Sequence, residues 1–237
     1  MRKISPHDVL WDFEAQLEEQ SDYYDSSWNK LKRGQQRKIA TENFVLSVGV
    51  MFEGFINDLI LAYANRDCSK VMDHLESSVK HSFANNSKAG RAFAKFGEFK
   101  RRKHLSKQEL KEVLDPNGRN VSFPDYSAIE TQARQWLVPL HCEAFVALSA
   151  RDRAVVDATI AARNNMAHRS KSSLDKVNLA FEAGPLHDTG LRRVQNRIQR
   201  VGHYLKTMPN VNIEQTRADI LAGLLGQAAE RLVIEEE

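Results

Sequence analysis

Apolar residues recur at three- and four-residue spacing through one long stretch of the sequence, and this pattern most limits the fold. The stretch runs from about Gln36 to Asn65. A period of 3.6 residues puts one apolar face on a helix, so the pattern predicts an amphipathic helix about 45 Å long. A helix of that length exceeds a small core, so we expect part of it to meet another subunit. Its apolar positions are Phe44, Val48, Met51, Phe52, Phe55, Leu59 and Ala62.

The rest of the chain also has helical patterning, with recognisable starts and stops. Ser5 and Pro6 are typical of a helix start, and that helix is expected to run to about Leu31. No alternation of polar and apolar residues lasts more than a few positions, which predicts an all-α fold. We expect an N-terminal helix in 1–34, a helical domain over 35–207 and a C-terminal helix in 208–237. A helix is predicted at about 69–83, followed by two short helical stretches before Asp115. Another helix is predicted to start after Pro124 and to end at Pro139. The remaining predicted helices lie at about 150–168, 191–205 and 213–233.

Composition places the chain among ordinary globular proteins. Hydrophobic residues make up 42% and charged residues 27%, and the net charge of +3 is mild, so any affinity for nucleic acid must come from local charge. The two cysteines have no CxxC spacing, which favours a reducing compartment and argues against a structural zinc site. The start lacks a signal-peptide pattern, and Glu53 and Asp58 interrupt the most apolar stretch. We therefore expect a cytoplasmic protein without membrane contact.

The stretch "RNNMAH", Arg163 to His168, places a cation and an imidazole at the end of an apolar helix rich in alanine. Positions five apart on a helix are rotated by about 140°, so the two side chains would not share a face. Because Asn164 and Asn165 lower helix propensity, we expect the helix to fray or bend there and turn both groups into one cleft. A cleft shared between two copies of the chain is the alternative. Spacing alone is weak, since Arg-x(4–6)-His also occurs at Arg2/His7, Arg134/His141 and Arg197/His203.

"RNNMAH" resembles the R-N-x-x-A-H signature of HEPN-domain proteins, and "MFEGFINDLILAYANR" is similar to the long first core helix of the RiboL-PSP-like branch. The resemblance covers roughly 35–205. It implies a HEPN-like helical bundle that pairs as a homodimer, with a ribonuclease site between protomers and a role as a toxin or defence effector. It also implies a cognate antitoxin as a partner. The catalytic residues implied are Arg163, Asn164 and His168.

Two positions depart from the family pattern. Arg169 follows the histidine where many members have glycine, which could change the shape of the loop. Members silenced by a partner nucleotidyltransferase carry tyrosine two positions after the histidine, and here that position is Ser170. The resemblance therefore does not imply control through tyrosine.

The chemistry of these side chains suits RNA cleavage independently of the family. RNA carries its own nucleophile, the 2′-OH beside the scissile phosphate, so no metal or cofactor is expected. An imidazole, with an ordinary pKa near 6.5, can act as acid or base, and a guanidinium can stabilise phosphate oxygens. The expected product is a 2′,3′-cyclic phosphate. Two alternatives stay open: a catalytically inactive HEPN-like module that binds RNA or a protein, and a helical scaffold in which Arg163 and His168 are structural.

Two basic segments are candidates for RNA contact. The first, 88–107, carries eight Lys or Arg and one Glu with three phenylalanines interleaved, which favours phosphate binding with base stacking. The alternative is that these phenylalanines pack inward and the charges are merely solvated. The second, 192–206, places Arg193, Arg197 and Arg200 on one helical stripe, which favours a second RNA-facing surface. A solvated helix face is the alternative. The predicted RNA-binding residues are Lys100, Arg101, Arg102, Lys103, Arg169, Arg193, Arg197 and Arg200.

Glu53 lies inside the apolar stretch of the long helix. Burial of an unpaired carboxylate is costly, so we expect it to form a salt bridge or to face the cleft that holds Arg163.

Overall fold

The computed structural model describes residues 3–84, 88–115, 118, 121–193, 195–210 and 214–234. Within these residues all regular secondary structure is helical, which confirms the predicted all-α class. The helices are α1 (Pro6–Lys30), α2 (Gly34–Arg66), α3 (Ser69–Ala84), α4 (Lys88–Phe96), α5 (Lys107–Leu114), α6 (Tyr126–Trp136), α7 (Pro139–Ala147), α8 (Ala150–His168), α9 (Lys171–Ala180), α10 (Val201–Leu205) and α11 (Arg217–Glu230), with a 3₁₀ turn at Gly184–Thr189 before α10.

Side-chain caps start most of these helices. The Ser5 hydroxyl accepts a hydrogen bond from the Asp8 amide at 3.2 Å, and Pro6 occupies the first turn, as the sequence predicts. Such caps satisfy amides that have no partner inside the helix. In five other helices the cap side chain also accepts a hydrogen bond from a backbone amide of the first turn. These cap residues are Ser106, Asp125, Ser149, Ser170 and Thr216.

Helix α2 is the central helix of the fold. It packs against α1, α5, α6, α8, α10 and α11. By length and composition alone α2 could cross a membrane, and 61% of its most apolar window is buried inside the structure. The core helix of a globular protein has the same properties, so the cytoplasmic location without membrane contact stays a prediction.

The first and last helices pack on this core. Tyr24 of α1 stacks on Phe44 of α2 with ring centroids 4.4 Å apart. The chain after α11 is tied to α2, because the Tyr63 hydroxyl donates to the Leu232 carbonyl at 3.0 Å and accepts from the Ile234 amide at 3.0 Å. The C-terminal helix begins at Arg217 rather than near 213, and residues 211–213 lie outside the described part of the chain. The division at 34 and 207 stays a prediction.

Pro139 begins a helix that was not predicted. Helix α6 already ends at Trp136, and Pro139 is the first residue of α7. Proline suits the first turn because its missing N–H would have had no helical partner there. The prediction that Pro139 ends a helix is therefore wrong, because Pro139 starts one.

The predicted helix over 191–205 is also wrong, because among the described residues of that range only Val201–Leu205 are helical. The Asn178 side chain, on the unpredicted helix α9, binds both backbone groups of Ile198. Its amide donates to the Ile198 carbonyl at 3.0 Å, and its oxygen accepts from the Ile198 amide at 2.8 Å. These contacts take the place of helical hydrogen bonds. Arg193, Arg197 and Arg200 consequently do not share a helical stripe.

Candidate functional site

Helix α8 continues through both asparagines and ends at His168. The expected fraying or bending at Asn164 and Asn165 is therefore wrong. The Asn164 side-chain oxygen accepts from Arg163 Nη1 at 2.6 Å, and the Asn165 amide donates to Ser173 Oγ at 2.9 Å. Because both side chains have other partners, they do not compete with the helical backbone.

The chain breaks from the helix one residue later, at Arg169. This residue has φ +50° and ψ +29°, and it is the one non-glycine residue with positive φ among those described. Glycine adopts this left-handed conformation without the steric penalty of a Cβ. The departure from the HEPN pattern thus falls at a position whose backbone favours glycine. Helix α9 starts immediately afterwards at the Ser170 cap.

Arg163 points from α8 toward α2. Its guanidinium forms an ion pair with the Glu53 carboxylate, whose other oxygen accepts from Ser122 Oγ at 3.1 Å. The predicted salt bridge of Glu53 is confirmed, and its partner is Arg163. Close approach of the two helices requires Gly49, because a Cβ there would lie 2.7 Å from the Arg163 Cβ. Gly49 was missed by the sequence analysis, although a glycine inside a long helical pattern is a signal of close packing.

The guanidinium of Arg163 keeps hydrogen-bonding capacity. Its side chain is 18% exposed. A guanidinium has five N–H donors, and only one each is directed to Glu53 and Asn164. The remaining donors can meet an oxyanion that reaches the edge of the α2–α8 contact.

His168 lies at the exposed end of α8. In an unbroken helix it is rotated by about 140° from Arg163. The structure therefore does not bring the two side chains onto one face of α8 within a protomer. The alternative, a cleft shared between two copies of the chain, stays a prediction.

Arg169 extends the basic surface beside His168. Its side chain is 75% exposed, and its Nη2 lies 3.6 Å from Glu42 Oε2 on α2. Lys38 pairs with the other oxygen of the same carboxylate at 3.3 Å. Glu42 is also in contact with α10, because a Cβ at Gly202 would overlap its side chain.

The first basic segment is partly neutralised. Arg101 pairs with Asp73 and with Glu76, and Arg102 pairs with Glu109. Lys100 and Lys103 are exposed.

The phenylalanines of that segment do not all pack inward. Phe93 is 42% and Phe96 is 75% exposed, whereas Phe99 packs against the core. Phe93 and Phe96 lie on helix α4, which is short and packs mainly against α3. Too little of the chain surrounds α4 to bury these two side chains.

The second basic group is divided in the same way. Arg193 pairs with Glu182 and donates from Nε to the Asn178 carbonyl at 2.9 Å, which leaves its side chain 13% exposed. Arg197 pairs with Asp175. Arg200 is exposed.

Comparison of the chain with protein-family models, curated proteins and solved structures gives no match in any of the three. Within the described residues, no group of three or more His, Cys, Asp or Glu side chains is arranged to hold a metal ion.

Proposed function

We propose that the chain is a HEPN-like, homodimeric endoribonuclease that cleaves single-stranded RNA without a metal. The observation that supports this most is the state of Arg163. It is held by Glu53 and Asn164 at the edge of a helix contact, it keeps unused donors, and the same helix ends in an exposed imidazole. A guanidinium fixed in this way loses little further freedom when it binds a phosphate.

In this proposal the 2′-oxygen of RNA attacks the adjacent phosphorus, and the bond from phosphorus to the 5′-oxygen breaks. One imidazole takes the proton from the 2′-OH, and another gives a proton to the leaving 5′-oxygen. Arg163 binds the non-bridging oxygens, where negative charge increases in the transition state. The products are a 2′,3′-cyclic phosphate and a 5′-OH. General acid–base catalysis of this type contributes about 10²–10⁴-fold to the rate.

The directions of the two side chains support the proposed dimer. Arg163 points into the α2–α8 contact and His168 projects from the end of α8, so one protomer does not present both to one phosphate. A second copy could supply the missing imidazole, and two copies of His168 would provide the acid and the base.

The first experiment compares RNA cleavage in EDTA by the wild-type chain and by His168→Ala. We expect the variant to lose at least about a hundredfold in rate and to keep its melting temperature, because His168 is exposed. His187→Ala is the matched control, since His187 is also an exposed histidine but lies on the 3₁₀ turn, outside the motif, and pairs with its neighbour Asp188. Unchanged cleavage in His168→Ala would overturn the proposal.

The second experiment tests the dimer. Light scattering at micromolar concentration should give twice the mass of one chain. His168→Ala should not cleave alone, and an excess of His168→Ala chains that exchange subunits with the wild-type chain should suppress its cleavage, because a mixed dimer holds a single copy of His168. The mass of one chain in an active preparation would contradict the shared site.

A catalytically inactive module that binds RNA or a protein is the second candidate. The specific observation in its favour is that Glu53 compensates the charge of Arg163 within the protomer. A wild-type chain that binds RNA and leaves it intact in every metal-free and metal-containing buffer would support this candidate.

The role as a cytoplasmic toxin or defence effector, with a cognate antitoxin, rests on the resemblance. It predicts that expression of the wild-type chain arrests growth whereas His168→Ala does not.

A further inference from the structure

An arginine-rich cleft lies between the irregular segment after the 3₁₀ turn and helix α10. Its volume is about 470 Å³. Among the described residues that line it there is no carboxylate, although Glu182 and Asp175 reach two of its arginines from outside. We call this feature the arginine cleft, and its basic residues are Arg192, Arg193, Arg197, Arg200, His203 and Arg217.

Some of these arginines form the walls of the cleft. Arg217 donates from Nε to the Gly190 carbonyl at 3.0 Å and from Nη1 to Thr207 Oγ1 at 2.6 Å. Arg193 and Arg197 are held by Glu182 and Asp175. The contacts of Arg217 and of the nearly buried Arg193 hold part of the cleft in place in the protomer, whereas the Arg197 pair lies at the surface.

Arg200 and His203 are different. Both side chains are exposed, and neither has a partner among the described residues. They lie three residues apart, at the start and on the first turn of α10. Two unpaired donors over a fixed basic wall favour an anionic ligand, and a guanidinium matches the oxygens of a phosphate.

The cleft adjoins the candidate site through Glu42. Arg169 and Gly202 both contact the side chain of Glu42. His168 is the neighbour of Arg169 in the chain, and His203 is the neighbour of Gly202. The cleft and the end of α8 thus meet at one side chain, and a flexible strand held in the arginine cleft could pass this point on the way to His168.

We propose that the arginine cleft binds the backbone phosphates of single-stranded RNA and leads the strand to His168. This inference rests on the proposed function and specifies the path of its substrate. A cavity of this volume is within the range that encloses a small ligand such as one nucleotide. A duplex is instead recognised over about 16 base pairs across two minor grooves, which one cleft at α10 does not provide.

The experiment measures binding of a fluorescent, single-stranded, fully 2′-O-methylated RNA, which lacks the nucleophile and cannot be cleaved. Anisotropy titrations at several salt concentrations compare the wild-type chain with Arg200→Gln/His203→Gln. We expect the affinity to fall about tenfold and the salt dependence to weaken by about 0.7 in the log–log slope for each lost phosphate contact. Both substitutions are at exposed, unpaired side chains, so the melting temperature should not change.

The matched control is Lys70→Gln/Arg151→Gln. It also removes two exposed cationic groups, and Arg151 lies at the opposite end of α8 from His168. Its affinity and its salt slope should equal those of the wild-type chain. An equal loss in the control would show binding by net charge alone and would overturn the cleft.

The two proposals fail separately. If the cleft variant binds like the wild-type chain while His168→Ala loses cleavage, the cleft is wrong and the nuclease stands. If the cleft variant loses binding while His168→Ala cleaves normally, the cleft stands and the catalytic assignment is wrong. A duplex that competes as well as the single strand, or a wild-type chain that does not bind the RNA, would overturn the cleft.

Discussion

Glu53 on α2 and Arg163 on α8 form an ion pair that joins the central helix of the fold to α8. The Glu53 side chain is 11% exposed and that of Arg163 is 18% exposed, so solvent screens the pair only partly. Ser122 also donates to Glu53, which places a third segment of the chain at the same contact.

Removal of one partner should destabilise the fold, because the other charge stays mostly buried without its counter-charge. For Glu53→Gln and for Arg163→Gln we expect a loss of about 1–3 kcal/mol in the free energy of unfolding, measured by urea denaturation. The double variant should lose less than the sum of the two, with a coupling of about 0.5–3 kcal/mol. Strict additivity would contradict a direct interaction.

Arg134→Gln, which breaks the ion pair of Arg134 with Glu130, is the control for that measurement. The Arg134 side chain is 56% exposed and Glu130 keeps Arg153 as a partner, so this substitution should change stability by less than about 1 kcal/mol.

Substitution by alanine should have opposite effects on stability at two glycines of α2: Gly49, which faces Arg163, and Gly54, which faces open space. A Cβ at Gly49 would overlap the Arg163 side chain, so Gly49→Ala should lose about 1–2 kcal/mol after the gain in helix propensity. Nothing lies within 4 Å of a Cβ at Gly54, so Gly54→Ala should gain about 0.5–1 kcal/mol. Thermal unfolding separates the two results. If cleavage depends on Arg163, it should fall in Gly49→Ala alone.

Replacement of Arg169 by glycine should stabilise the chain. The left-handed conformation of Arg169 is unfavourable for a residue with a Cβ, and its exposed contact with Glu42 contributes little. We expect Arg169→Gly to raise the free energy of unfolding by about 0.5–1 kcal/mol. Arg169→Ala removes the same charge but keeps the Cβ, so it should show no such gain. A similar gain in both variants would assign the effect to charge instead of conformation.

The stability of the fold should fall as the medium becomes acidic, in part because of His141. Its ring is buried and stacks on Tyr63 with centroids 4.7 Å apart. Burial lowers the pKa of His141 below its ordinary value of 6.5, an effect that Asp67 opposes. Because the unfolded chain takes up the proton more readily, the contribution of His141 is complete above pH 6.5 and is lost as the pH falls below that value.

The measurement is the melting temperature between pH 8 and pH 5. His141→Phe keeps an aromatic ring against Tyr63 and should show a shallower decline below about pH 6.5. His187→Phe, at an exposed position, should leave the decline unchanged. Equal curves for wild type and His141→Phe would contradict the assignment.

Local signals made part of the fold predictable. The helix that starts at Ser5 and Pro6, and the long apolar helix α2, follow from capping and from apolar spacing inside a single window. The segment around Ile198 could not be predicted in that way, because its conformation depends on Asn178, twenty residues earlier.

The candidate site was predictable to a similar degree. The need of Glu53 for a partner follows from its apolar surroundings, and the sequence motif singled out Arg163. The helix continues through Asn164 and Asn165, whose side chains are hydrogen-bonded to Arg163 and Ser173. Helix propensities of single residues give no information about such partners. Likewise, the basic character of Arg101 and Arg193 suggested RNA contact, but carboxylates distant in the chain pair with both.

Helix α2 carries Gly49 and Glu53 against Arg163 and Glu42 against Gly202, and it also supplies much of the buried core. Binding of an oligonucleotide at Arg163 should therefore raise the melting temperature of the whole chain instead of ordering one segment locally. At a hundredfold excess over its dissociation constant, a ligand specific for the folded state adds about 2.7 kcal/mol to stability. A thermal-shift screen of nucleotides is thus a direct way to find what this molecule recognises.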